Sequence, residues 1–261
     1  MDFLVVGATG YLGSEVARQA SAAGYEVTGT SSAELDVTDR AGTLAYIETL
    51  RPAVVVNCAY RDDSWAVSAD GAAHVALAAA WAGARLVHVS TDALHAGRRE
   101  PYLDAEPPTP VHRYGAAKAA AETAVAAIDP SAVIVRTSLI IGDDRSKHLA
   151  LALDLAAGRR DGALFTDEFR CPVAVQDLAA AVLDLAAGDY WGPINVAGPQ
   201  AMSRAEMGRL VARRHGLDPY RIPTCTIAEA GVGPRPAHVI LDSSRAAALL
   251  KTRIRPASEC I

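Results

Sequence analysis

Aromatic residues are scarce in this chain of 261 residues, at 5% of the composition. Any core it forms must therefore be built mainly from aliphatic side chains and alanine. Positive charge is not in excess either. The formal net charge is -5, which provides no electrostatic footprint for nucleic acid or an anionic membrane surface. The short basic pairs Arg98-Arg99, Arg159-Arg160 and Arg213-Arg214 read as solvated helix ends or loops. No apolar run approaches the ~20 residues that would span a bilayer. The opening MDFLVVGATG lacks a basic n-region and a small-residue cleavage site, so it reads as a first strand rather than a signal peptide. Cysteines are few and scattered, at Cys58, Cys171, Cys225 and Cys260, with no C-x-x-C pair. The expectation is reduced thiols in a cytoplasmic protein. Cys58 falls at the end of a predicted strand, where it would line a pocket without doing chemistry. The seven histidines show no metal spacing and no H-E-x-x-H, so no metal site is expected.

What is present is an alternation. Short β-branched runs at Phe3 to Val6, Glu26 to Thr30, Ala53 to Cys58, Arg85 to Ser90 and Ala132 to Thr137 are separated by alanine-rich helical stretches. Those stretches are Tyr11 to Ala23, Arg40 to Arg51, Ala69 to Ala82 and Gly115 to Ala127. Continuous apolar strands between helices predict a parallel sheet covered on both faces. With right-handed crossovers this is an α/β fold, a Rossmann-type doubly wound sheet. Past residue 142 the rhythm breaks. A helix at Ala174 to Ala187 and a strand in Pro193 to Gly198 return to it. The expected organisation is a dinucleotide-binding domain over 1–142 plus about 172–198. A small C-terminal α/β substrate lobe is expected over about 143–171 plus 199–261.

The first strand runs directly into Gly7-Ala8-Thr9-Gly10-Tyr11-Leu12-Gly13. A G-x-x-G-x-x-G motif between a strand and a helix lets the backbone approach a pyrophosphate closely. The helix N-terminus then supplies free N–H groups and partial positive charge. Gly7, Thr9, Gly10, Tyr11, Leu12 and Gly13 are the expected cofactor cradle. The second strand ends Thr30-Ser31-Ser32, with no acidic residue there to hold a ribose 2′-hydroxyl. Ser31 would face a 2′-phosphate, which leans the choice to NADP and leaves NAD open. In Leu35-Asp36-Val37-Thr38-Asp39, Asp36 and Val37 either reach the adenine or belong to a turn in which Asp39 or Thr38 caps the next helix.

The fourth predicted strand ends Ser90-Thr91-Asp92, and ligands bind beyond the carboxyl ends of such strands. About twenty residues later comes Tyr114-Gly115-Ala116-Ala117-Lys118. On a helix the two polar residues, four apart, share a face. An ammonium beside a phenol favours the phenolate and draws its pKa down from about 10 towards neutrality. Such a phenol donates a proton to a carbonyl oxygen during hydride delivery. The same lysine can reach the ribose of the nicotinamide.

In order along the chain, "GATGYLG", "LDVTD", "VVNCAY", "GARLVHVSTD", "PYLDAEPPTPVHRYGAAKAAAE", "VIVRTSLIIG", "DEFRCPVAVQDLA" and "RPAHVILDSSRA" resemble an extended short-chain dehydrogenase/reductase. More narrowly, they are similar to the dTDP-4-dehydrorhamnose reductase family. The resemblance implies an NAD(P)-dependent reductase acting on the 4-keto group of a nucleotide-linked 6-deoxysugar. It implies that Thr91 orients the substrate carbonyl, Tyr114 is the acid and Lys118 its partner. It places Asn57, Cys58, Ala59 and Tyr60 along the cofactor, and Arg136 to Ser138 beside the nicotinamide and substrate. Thr91, Asp92, His95, Ser138, Arg170 and Arg235 are its implied substrate contacts, the guanidinium groups suiting a diphosphate. No nucleic acid or membrane partner is expected, and a homodimer is the default assembly. The chain departs from the family where "STDYVFDG" becomes Ser90 to Gly97, "STDALHAG". It departs again where Ser68 stands for an asparagine in the helix after strand three. Two alternatives stay open: a sugar-nucleotide epimerase with bound NAD, which would share the Tyr/Lys pair, and a non-catalytic NADP-binding regulatory subunit, which those departures keep alive.

Overall fold

The computed structural model describes residues 1–143 and 145–261. Its first half alternates strand and helix: β1 (Asp2–Val6), α1 (Tyr11–Ala22), β2 (Glu26–Thr30), α2 (Arg40–Leu50), β3 (Val54–Asn57), α3 (Gly71–Ala82), β4 (Arg85–Thr91), α4 (Arg113–Ile128) and β5 (Val133–Thr137). Then come β6 (Ile140–Ile141), α5 (Lys147–Ala156), β7 (Leu164–Phe165), β8 (Phe169–Arg170), β9 (Val173–Ala174), α6 (Val175–Ala187) and β10 (Gly192–Asn195). The chain closes with β11 (Met202–Ser203), α7 (Arg204–Arg214), β12 (Thr224–Cys225), α8 (Ile227–Ala230), α9 (Ser244–Leu249) and α10 (Ala257–Cys260).

Six strands form one sheet in the order β10-β5-β4-β3-β1-β2, every pair parallel. The period of two along each strand decides what each face buries. Phe3 and Val5, Val54 and Val56, and Val133 and Val135 face the side covered by α1 and α6, where Val16, Leu178, Val182 and Leu185 meet them. Leu4 and Val6, Val55, and Ile134 face the other side, against Ile47, Val75, Ala76 and Val125 of α2, α3 and α4. Each fully buried Val or Leu contributes about 1.5–3 kcal/mol, which is why neither face can be left to solvent. The expected doubly wound sheet is therefore present, and the helices expected over its first half are all found.

A further core lies outside the sheet. Leu149 and Leu155 of α5, Leu164 of β7, and Met207 and Val211 of α7 pack together with Ile222. Gly208 of α7 lets Leu164 approach, since a Cβ there would lie 2.2 Å from Leu164 Cδ1. The segment before the last helix leaves this group, and Ala257 and Ile261 then return to it. Ala246, Leu250 and Ile254 pack against the α1/α6 face of the sheet, and Arg255 pairs with Asp177 of α6. Residues 244–255 thus belong to the sheet's own packing, a contact between distant segments that composition does not signal. Before α3 the chain also makes a turn of π-helix, Ala66–Asp70, where a plain helix start at Ala69 is expected. No helix among the described residues is long and apolar enough to cross a membrane.

Candidate active site

The strand order places β1 between β2 and β3, so the connections leave β1 and its neighbours in opposite directions. A crevice opens at that point beyond the carboxyl ends of the strands. The glycine loop sits there. Gly7 has φ +79°, a left-handed conformation that side chains disfavour. A Cβ on Gly13 would lie 2.2 Å from the Gly7 carbonyl oxygen, so only glycine lets α1 begin this close to β1. The first turn of α1 has no side-chain cap, which leaves N–H groups facing the crevice. This cradle fits a dinucleotide pyrophosphate.

A cavity of about 820 Å³ runs from Gly10, Tyr11, Leu12 and Gly13 past Thr91, Tyr114 and Lys118 to Arg170 and Arg235. Thr91 is the last residue of β4, and its hydroxyl accepts from the Ala93 N–H at 3.2 Å. The next turn carries Ala93 against α4. A Cβ on Gly115 would lie 2.2 Å from the Ala93 carbonyl oxygen, so the glycine after Tyr114 allows α4 to dock beside Thr91. His112 caps α4, its Nδ1 accepting from the Gly115 N–H at 3.0 Å. Its ring lies parallel to that of Tyr114, the centroids 6.4 Å apart and the planes 3° from parallel.

The pairing of Tyr114 with Lys118 differs from the expectation in its electrostatics. Burial, with Asp62 and Tyr60 adding to it, pushes the Tyr114 phenol above its ordinary pKa, and the Thr91 hydroxyl only partly offsets this. Lys118 is almost fully buried, and burial lowers it to about 8 against the pull of Glu122 and Cys58. Tyr114 is therefore a protonated phenol here, not one drawn towards neutrality by an ammonium. Sequence spacing shows the pair but not the desolvation that governs both groups. Lys118 Nζ donates to the Val89 carbonyl at 2.8 Å and lies 3.1 Å from His88 Nε2. Cys58 lines the cavity, and burial pushes its thiol up to about 12, so it remains a protonated wall residue.

Charge gathers at the other end of the cavity. The buried Asp92 accepts from Ser138 Oγ at 2.6 Å and faces Arg170 at 3.6 Å. Arg170 also pairs with Glu168 at 3.5 Å, and Glu168 takes Arg235 as a second partner. Arg204, at the start of α7, lines the same wall. It is buried, and its side chain donates to His148 Nδ1 at 3.2 Å. No carboxylate pairs with Arg204 among the described residues. Desolvation and the neighbouring Arg204 charge drop His148 to about 3, so the imidazole stays neutral.

Thr91, Asp92, Ser138, Arg170 and Arg235 thus share one cavity with Tyr60, Cys58, Tyr114 and Lys118. Other residues lie elsewhere. His95 is fully buried outside the cavity lining, stacked on Tyr102 at 4.0 Å. Arg136 is taken up by a buried pair with Glu122 and by the carbonyls of Asp104 and Glu106. It ties the loop before α4 in place rather than facing the cavity. Gly7, Thr9, Ser31, Asp36, Val37 and Ala59 lie on the glycine-loop side, beyond the cavity's lining. Val37 packs against Gly71, and Asp36 accepts from the Thr38 N–H and hydroxyl at 2.9 and 2.7 Å. Asp39 precedes α2 without a side-chain cap bond. Ser68 donates to the Arg61 carbonyl at 2.8 Å and accepts from its N–H at 3.0 Å, holding the loop that carries Tyr60 and Asp62.

Several site residues are absent from the sequence-based set. His112 and Glu168 lie inside stretches quoted for the resemblance, where neither is singled out, and His148 and Arg204 come from segments with no motif of their own. Two residues before the tyrosine, at a helix start, was the only signal for His112. Glu34 is a second omission. It folds back so that its carboxylate accepts from Ser31 N and Oγ at 2.7 and 2.8 Å. An acid does stand just after β2, four residues beyond the strand end.

The chain is similar to known proteins along nearly its whole length. The family model described as RmlD substrate binding domain matches residues 1–260. A dTDP-4-dehydrorhamnose reductase from Mycolicibacterium smegmatis is 32% identical over 275 residues, covering 99% of this chain and 83% of that protein. A solved dTDP-4-dehydrorhamnose reductase from Clostridium acetobutylicum is 26% identical with a TM-score of 0.91, covering 100% of this chain and 96% of that one. A Bacillus anthracis dTDP-4-dehydrorhamnose reductase in complex with NADP has the same fold, at TM-score 0.90 and 24% identity, covering 99% of this chain and 96% of that one. With a match across nearly its whole length and a glycine cradle, Tyr/Lys pair and basic wall in one cavity, the chain belongs to the RmlD substrate binding domain family, that of the dTDP-4-dehydrorhamnose reductases.

Proposed function

We propose that the protein reduces the 4-keto group of a dTDP-linked 6-deoxysugar with NADPH or NADH. One observation carries the reading. A single cavity joins a pyrophosphate cradle, a protonated phenol beside Thr91, and a buried arginine with no carboxylate partner among the described residues. A sugar diphosphate supplies the anion that Arg204, with Arg170 and Arg235, would meet by charge-assisted hydrogen bonds. The glycine loop and the first turn of α1 would hold the dinucleotide pyrophosphate, and Lys118 its nicotinamide ribose. The bound cofactor supplies the hydride.

The chain's own groups do the rest. Thr91 Oγ1 fixes the keto oxygen within reach of Tyr114. The phenol gives its proton to that oxygen as negative charge develops there. A raised phenol pKa keeps the proton in place at neutral pH until the carbonyl needs it. Cys58 and Tyr60 close the wall around the reacting atoms. The segment outside the sheet, with α5 and α7, serves as the substrate lobe, because it contributes His148 and Arg204. A non-catalytic binding module has no use for a protonated phenol aimed into the substrate end of its cavity, so the catalytic reading is preferred.

The test is cofactor oxidation with dTDP-linked 4-keto-6-deoxysugars and with the same ketosugars lacking the nucleotide. Turnover that requires the nucleotide supports the reading. Equal turnover of both removes the role given to the arginine wall. Absence of oxidation, in protein shown to bind the dinucleotide, removes the reductase itself.

A further inference from the structure

His112 carries more than the start of α4 requires. The Gly115 N–H donates to its Nδ1 at 3.0 Å. A backbone N–H can only donate, so Nδ1 must accept, and the single hydrogen of a neutral imidazole is then on Nε2. Burial, with Arg235 and Arg170 adding to it, holds the imidazole below its ordinary pKa against the pull of Asp92 and Glu168. The ring is therefore neutral at neutral pH, and Nε2 is a donor. The ring edge from Nδ1 to Cε1 is the one turned to the helix, since a Cβ on Gly115 would lie 3.2 Å from Cε1. Nε2 lies beyond that edge and has no hydrogen-bond partner among the described residues, while His112 itself lines the cavity. An N-cap needs one acceptor, which serine, asparagine or aspartate supplies. The second nitrogen of the imidazole plays no part in capping.

The place of the ring says what that nitrogen meets. It lies parallel to the Tyr114 ring, the centroids 6.4 Å apart. The charges that act on it are those of Asp92, Glu168, Arg170 and Arg235. His112 thus stands between the phenol and the basic wall. Arg170, Arg204 and Arg235 serve the diphosphate, for which a neutral N–H is the weaker donor. A neutral donor beside the phenol suits an uncharged oxygen close to the carbon being reduced. In a 4-keto-6-deoxysugar one carbon next to the ketone carries a hydroxyl, at position 3, and the other carries the methyl group.

We propose that His112 is a specificity-determining residue of the reduction, its Nε2–H donating to the oxygen of the hydroxyl on the carbon next to the ketone. The contact rests on the function proposed above; the tautomer does not.

His112→Asn separates capping from recognition. An asparagine superposes on Cγ, Nδ1 and Cδ2 of the ring. Its Oδ1 accepts from the Gly115 N–H, and nothing reaches the position of Nε2. His112→Ala removes both functions. The experiment measures kcat/KM with a dTDP-linked 4-keto-6-deoxysugar and with its 3-deoxy counterpart, in the wild type and both variants, beside melting temperature and dinucleotide affinity. The wild type should prefer the 3-hydroxy sugar. In His112→Asn that preference should fall by about 3–10-fold, the weight of one neutral hydrogen bond, with melting temperature and dinucleotide affinity unchanged. His112→Ala should lose the same preference and also melt at a lower temperature. A merely capping role would leave the preference of His112→Asn equal to that of the wild type, and this result overturns the proposal. Should His112→Asn fail to fold, His112→Ser, which also caps, takes its place. Side-chain ¹⁵N NMR of histidine-labelled wild type, with His112 assigned by its loss in the variant, should show the Nε2–H tautomer; an Nδ1–H tautomer overturns the proposal whatever the substrate. If the wild type turns over neither sugar, the proposed reaction fails, and the contact is read from binding of the reduced dTDP-sugars instead. A preference for the 3-hydroxy form that His112→Asn loses would then support the contact, and equal affinity of the wild type for the two forms would overturn it.

Discussion

At the scale of single residues, Tyr114 is a buried phenol whose proton is held tightly. That suits an acid in a reduction, where a phenolate would have nothing to give. Its neighbours on the substrate side divide into paired and unpaired charges. Arg170 and Arg235 share Glu168, whereas among the described residues Arg204 hydrogen-bonds the neutral His148 and pairs with no carboxylate. An unpaired buried guanidinium is costly, and an anionic substrate offsets that cost. Arg204→Gln should therefore raise KM for the nucleotide-linked sugar by about 10–100-fold, the loss of a charge-assisted hydrogen bond of about 1.5–3 kcal/mol, with little change in dinucleotide affinity. An unchanged KM would remove Arg204 from the substrate site. At the opposite end, the Glu34 carboxylate on Ser31 places negative charge near the expected ribose. Glu34→Gln should shift the ratio of kcat/KM towards NADPH over NADH by about fivefold, since it removes a like charge from beside a 2′-phosphate. A ratio that does not move would show that the carboxylate lies away from the 2′-position.

At the scale of elements, close approach explains why two glycines stand where they do. Gly13 brings α1 onto the β1 loop, and Gly115 brings α4 onto the turn after Thr91. Gly115→Ala would drive a Cβ into the Ala93 carbonyl, so α4 must move and Tyr114 with it. The expected outcome is a large loss of kcat, a smaller effect on dinucleotide binding, and a loss of stability of about 1–3 kcal/mol by denaturant unfolding. Wild-type kcat in this variant would show that the docking of α4 does not set the reaction geometry. The strands and helices of the first half were legible because the sheet buries both faces and the glycine loop is local. The Tyr/Lys spacing was legible for the same reason, four residues on one helix. His112, Glu168 and Arg204 were not, because only tertiary packing of α4, β8 and α7 brings them to one wall. His95 and Arg136 were misplaced by motif position. One packs on Tyr102 and the other is consumed by Glu122, and neither fact is written in local sequence.

At the scale of the whole molecule, a doubly wound sheet and a second core meet across the cavity, and both bury histidine. His95 is lowered to about 4 and His148 to about 3, each mainly by burial, and His88 lies well below its ordinary value. Each is neutral when folded and takes a proton more readily when unfolded. Their contribution is fully present above the unfolded pKa of about 6.5 and is lost as pH falls towards the folded values. Asp92, raised by burial, works in the opposite direction, but one carboxyl does not offset three imidazoles. The melting temperature should therefore fall by several degrees between pH 7.5 and pH 5. A melting temperature that is flat or rises over that interval would contradict the neutral histidines. The central claim concerns the cavity between the cores, and one measurement reaches it directly. NADPH and NADH oxidation by wild type and Tyr114→Phe is followed with dTDP-4-keto-6-deoxysugars, alongside dinucleotide binding by both proteins. The account predicts oxidation by wild type, a drop of about 10²–10⁴-fold in the variant, and equal dinucleotide affinity. Unimpaired turnover in Tyr114→Phe would contradict it.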